Sequence, residues 1–106
     1  MLEIIHNRGT MSFKITGEID HHSVKNIKET IDMKIIETRP DAVYLDLSEV
    51  SFMDSSGLGL ILGRYQTSSK LNIKFALYKP SEAVCRIIRI SGCDKLINII
   101  GKKEAI

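Results

Sequence analysis

Apolar and polar residues alternate along Met11-Ser-Phe-Lys-Ile-Thr16, which sets Met11, Phe13 and Ile15 on one face of a half-buried strand. Leu2 to Ile5 is a short apolar run before it. Asn7-Arg8-Gly9 between the two has hairpin-turn chemistry, so the chain opens on an antiparallel pair. Gly17 is expected to break the second strand. Asp20-His21-His22-Ser23 then offers helix-capping side chains, and Val24, Ile27, Ile31 and Ile35 recur at three- and four-residue steps, the stripe of an amphipathic helix. Arg39-Pro40 closes it, because proline disfavours helical geometry in the residue before it.

Ala42 to Leu47 is rich in residues that suit a sheet. Ser48 to Asp54 reads as a loop leading into a helix from Ser55 to Tyr65, with Leu58, Ile61, Leu62 and Tyr65 on its apolar face. Asn72 to Tyr78 alternates again, with Ile73, Phe75 and Leu77 together. Pro80-Ser81-Glu82 starts a helix with Val84, Ile87 and Ile88 as its stripe, and Ser91-Gly92 stops it. Leu96 to Ile100 forms a last short strand or a helical turn. The order β-β-α-β-α-β-α-β implies an α/β domain: a small mixed sheet, largely parallel through right-handed crossovers, with helices on one or both faces.

Composition narrows the function more than it sharpens the fold. At 106 residues the chain fits one domain spanning 1–106, and 43% hydrophobic with 26% charged residues excludes a disordered chain. Fifteen Lys and Arg against 13 Asp and Glu give +2, too even for a nucleic-acid or anionic-membrane binder. No apolar run spans a membrane, and the start has no export-signal pattern, so a cytoplasmic location is expected. Cys85 and Cys93 lack CxxC spacing and a histidine cluster, so neither a zinc site nor a redox pair is expected. The end, Gly101 to Ile106, carries no readable pattern and is expected to be disordered, the usual state of an untethered terminus.

Candidate chemistry concentrates where a strand meets a helix on the carboxyl side of the sheet, in Ser51-Phe-Met-Asp-Ser-Ser-Gly-Leu-Gly-Leu-Ile-Leu-Gly-Arg-Tyr65, with Ser55 and Ser56 at or just before the first helical turn. A helix start has unpaired N–H groups and the positive end of the helix dipole, which favour a carboxylate, a bound phosphate or a phosphorylated serine. Asp54 or Ser55 also serves simply as a cap. Gly57, Gly59 and Gly63 let the helix approach the sheet or a neighbouring helix closely, or else Gly57 and Gly59 keep its first turn bare for another protein. Walker A spacing fails, since Leu58 stands six before Arg64. The dinucleotide turn lacks its acidic residue, and the G-x-S-x-G elbow is absent. An enzyme is not expected, and no cofactor or metal is implied.

The stretch from Phe52 to Tyr65, with Thr16-Gly-Glu-Ile-Asp-His-His22 and Arg89-Ile-Ser-Gly-Cys-Asp-Lys-Leu-Ile97, resembles the anti-sigma factor antagonists, single-domain members of the STAS family. Within them it is most like the sporulation branch, which acts on the anti-sigma factor of sigma-F. This resemblance implies a sheet flanked by helices and a phospho-switch. An anti-sigma factor with serine kinase activity binds the unmodified antagonist, frees its sigma factor and phosphorylates the first serine of Asp-Ser-Ser-Gly, here Ser55. A metal-dependent serine phosphatase reverses the mark. Asp20, His21, His22, Asp54, Ser55, Ser56, Gly57 and Gly59 would form the partner surface. A STAS module in another complex, such as a general-stress sigma-factor pathway, is the alternative.

Overall fold

A computed structural model describes residues 1–101. In chain order its elements are β1 (Leu2–Asn7), β2 (Thr10–Ile19), α1 (Val24–Thr38), β3 (Ala42–Met53), α2 (Ser55–Lys70), β4 (Lys74–Tyr78), α3 (Glu82–Ser91), a 3-10 turn (Cys93–Lys95) and β5 (Asn98–Ile100). The sheet order is β1-β2-β3-β4-β5, with β1 antiparallel to β2 and every later pair parallel. Arg8 and Gly9 both take positive φ, 50° and 80°, as a tight hairpin demands.

Each parallel step moves one strand along, always the same way. Right-handed crossovers therefore lay α1, α2 and α3 on one face. Beneath them Met11, Phe13, Ile15, Val43, Leu45, Leu47 and Leu77 meet Ile27, Ile31 and Ile35 of α1, Leu60 and Ile61 of α2, and Val84 and Ile88 of α3 in one core. The opposite face stays open, a shallow groove running from Ile5 across Ser12, Tyr44, Asp46 and Tyr78 to Ile100. No helix among the described residues is long and apolar enough to cross a membrane.

Two strands run further than alternation predicts. Gly17 does not end β2, which continues to Ile19 with Gly17 at φ 101°. The expected loop over 48–54 is instead the second half of β3. Register shifts between Lys14 and Thr16, and between Gly17 and Glu18, move buried positions off the two-residue period, so the continuation looks irregular in sequence. Beyond β1 and β4, Gly17–Ile19 and Val50–Met53 form a two-stranded arm with no third strand beside it among the described residues.

Helix α2 also runs longer than expected, to Lys70, and is rolled by about one position. Gly57, Leu60, Ile61, Arg64 and Ser68 are its buried residues, while Leu58 and Tyr65 are only partly covered. A glycine and an arginine on the inward face disguised it. Of the two readings of Leu96–Ile100 the strand occurs, as Asn98–Ile100, and a 3-10 turn over Cys93–Lys95 precedes that stretch. The expectation of a disordered tail from Gly101 to Ile106 lies, past Gly101, outside the described residues.

Candidate functional site

Because β2 and β3 are parallel neighbours, their carboxyl ends finish together. Ile19 pairs with Met53, and the Asp54 N–H donates to the Ile19 carbonyl at 3.3 Å. The turn Asp20–Ser23 and the turn Asp54–Ser55 therefore leave the tip of the arm side by side. Sequence positions 20–22 and 54–59 are thus brought to one corner.

Asp54 caps α2. Its backbone is extended, and Oδ1 accepts from the Ser56 N–H at 2.8 Å. This settles which residue caps: Ser55 becomes the first helical residue and its hydroxyl is spared. Ser55 is exposed, and that hydroxyl makes no hydrogen bond to any described residue. It stands at the positive end of a 16-residue helix, where aligned peptide dipoles amount to about half an elementary charge. Ser56 is half-buried beside it.

Across the corner Asp20 organises its own turn. Its Oδ1 accepts from the His22 and Ser23 N–H groups, both at 3.0 Å, and its carbonyl accepts from Val24 N–H at 3.1 Å. Ser23 reciprocates, its Oγ accepting from the Asp20 N–H at 3.1 Å. The Ser23 N–H first, then the His22 N–H and charge, hold the Asp20 carboxyl below its ordinary 3.8. His21 and His22 are exposed, their rings edge to face at 5.8 Å.

The glycines divide. Gly57 is buried, and a Cβ there would overlap the Met53 side chain, 2.7 Å from Sδ and 3.3 Å from Ile19 Cγ2. Gly57 lets α2 start directly against the strand ends and is no part of the outer surface. At Gly59 and Gly63 a Cβ would meet nothing within 4 Å, so close approach within the domain is not their reason. Gly59 is exposed one turn above Ser55, leaving that face of the helix bare.

Sequence reasoning passed over Phe52 as a site residue. It is 51% exposed at the end of β3, beside the corner, while its neighbour Met53 is buried. An aromatic exposed within a motif of small polar residues was the available signal. No grouping of three or more His, Cys, Asp or Glu among the described residues could hold a metal ion.

Residues 1–105 match the STAS domain family. The chain belongs to that family. This STAS domain is 34% identical over 98 residues to the anti-sigma F factor antagonist of Paenibacillus polymyxa, covering 92% of this chain and 84% of that protein. Its fold superposes on the anti-sigma factor antagonist SpoIIAA in its unphosphorylated form with a TM-score of 0.82 at 28% identity, over 97% of this chain and 90% of the other. The phosphorylated form of the Bacillus cell fate determinant SpoIIAA gives a TM-score of 0.75 at 27% identity, over 97% and 94%. The five-stranded mixed sheet with three helices is thus the STAS fold.

Proposed function

We propose that this STAS domain is an anti-sigma factor antagonist of the sporulation kind, working in the cytoplasm by binding and not by catalysis. Unmodified, it captures an anti-sigma factor that is also a serine kinase, and so frees the sigma factor. The captured kinase then transfers the γ-phosphoryl group of ATP to Ser55 Oγ, with ADP leaving and the hydroxyl proton passing to the kinase. A metal-dependent serine phosphatase hydrolyses the ester and restores the hydroxyl. One observation carries this reading: Ser55 is exposed and unbonded at a helix start, because Asp54 has taken the capping role.

The switch follows from charge. A phosphate on Ser55 adds roughly −1.5 to −2 charges at a corner that already holds Asp20 and Asp54. A partner surface shaped to a bare hydroxyl then meets excess bulk and negative charge. Each loss of about 1.4 kcal/mol weakens binding tenfold. Asp20, His21, His22, Ser56 and the bare turn at Gly59 complete the docking surface, with Phe52 as an apolar anchor at its edge.

Mass-spectrometric mapping after mixing with the cognate kinase and ATP tests the reading. The phosphate is expected on Ser55. Ser55→Ala should bind the kinase without being labelled, and Ser55→Asp should bind weakly. Labelling that survives Ser55→Ala and vanishes in Ser56→Ala would overturn it. Presenting anti-sigma kinases of the sigma-F and general-stress types in parallel shows which pathway the domain serves.

A further inference from the structure

Among the described residues Arg64 is the one charged side chain that is buried, 4% exposed on the inner face of α2. Its Nε stands 2.7 Å from Oδ1 of Asp32 on α1, a carboxylate that keeps 26% of its surface. The contact is ionic: the N–H is poorly aligned for a hydrogen bond, and Nη1 has no hydrogen-bond partner among the described residues. Burial pulls the guanidinium below its usual range and Asp32 opposes the shift. Arg64 therefore depends on a single counter-charge, held by a different helix.

The placement of that pair is what gives it a consequence. Helices α1 and α2 both return across the same sheet face between parallel strands, so they run in the same direction. Asp32 lies eight residues past Val24, and Arg64 nine past Ser55. At 1.5 Å per residue the two are about 12 and 14 Å from their helix starts. Both starts flank the corner that carries Asp20–His22 and Ser55. Apolar packing along Ile27, Ile31 and Ile35 is non-directional and tolerates sliding of one helix along the other. The ion pair does not tolerate it far, since a shift of one helical turn, about 5.4 Å, carries Asp32 out of reach and leaves Arg64 buried without that counter-charge.

We infer that Asp32 and Arg64 form an axial clamp that sets the register of α1 against α2 and thereby the relative height of the two halves of the docking corner. They are positioning residues, acting on partner recognition through the helices and touching no partner themselves. The consequence for binding rests on the function proposed above, whereas the register itself does not.

Replacing both partners by apolar residues of similar size, Asp32→Leu with Arg64→Met, separates position from stability. Buried ion pairs exchanged for packed apolar groups commonly leave stability unchanged or raised, so the thermal midpoint should stay at or above the native one. Affinity for the cognate kinase should nevertheless fall about tenfold, within the range that packed elements transmit between sites. Backbone amide resonances of Asp20–Ser23 and Ser56–Gly57 should shift, while those of Val43 and Leu45 stay in place. Asp32→Glu, which keeps the charge pair, should retain most of the affinity. A doubly substituted protein that folds, binds as the native does and leaves the corner amides unmoved overturns the clamp. Should the native protein itself fail to bind the kinase, the proposed function falls, and the amide shifts still decide the clamp. If the double variant does not fold, Arg64→Lys takes its place: it keeps the charge and loses the Nε contact, so unmoved corner amides refute the inference.

Discussion

Gly57 and Gly59 stand two positions apart in α2 and meet opposite surroundings. A methyl group at Gly57 has no room against Met53 and Ile19. Gly57→Ala should therefore cost about 1–3 kcal/mol through overpacking, read as a lower midpoint in thermal unfolding. At Gly59 the same methyl enters open space on a helix. Gly59→Ala should raise the midpoint by up to about 1 kcal/mol of stability, because alanine is the better helix former. On the proposed docking face it should also weaken kinase binding, so the two substitutions part company in opposite directions on melting. Asp20 supplies a pH signature at the same scale. Its folded-state pKa lies below 3.8 because the Ser23 and His22 N–H groups stabilise the carboxylate. The resulting contribution is complete above 3.8 and is lost as pH falls through the lower folded value. Amide shifts of His22 and Ser23 should titrate with a midpoint under 3.8, and a midpoint at or above it would contradict the turn described.

At the scale of elements, α2 begins where it does because Asp54 supplies an acceptor to the Ser56 N–H. Asp54→Ala should cost about 1 kcal/mol. For a domain of this size that lowers the thermal midpoint by about 5 °C, whereas Asp54→Asn, which still accepts, should cost less. The element order, the opening hairpin and the stripe Ile27, Ile31 and Ile35 were all legible in the pattern of the chain, since each obeys an undisturbed period. The arm was not. Its bulges displace Val50 and Met53 from alternation, so a strand reads there as a loop. The inward face of α2 was hidden as well, since Gly57 lacks an apolar side chain and Arg64 carries a charge that only its partner on α1 makes tolerable inside. Local pattern reports local regularity, and a contact between helices 32 residues apart in sequence leaves no mark on it.

Taken as a whole, the molecule keeps the proposed switch outside its core. Ser55 is exposed, whereas the core lies beneath the helices, so a phosphate on Ser55 displaces no buried side chain. The helix start even favours the added charge. The phosphorylated protein should give the same far-ultraviolet dichroism as the unmodified one and a thermal midpoint within a few degrees of it, with the change confined to kinase affinity. A midpoint lowered far beyond that would move the effect from the surface into the fold. The corner itself is carried by β3, third of five strands and flanked on both sides through its first half. A docked protein consequently grips the domain at the far end of β3, past the length that β2 and β4 enclose between them.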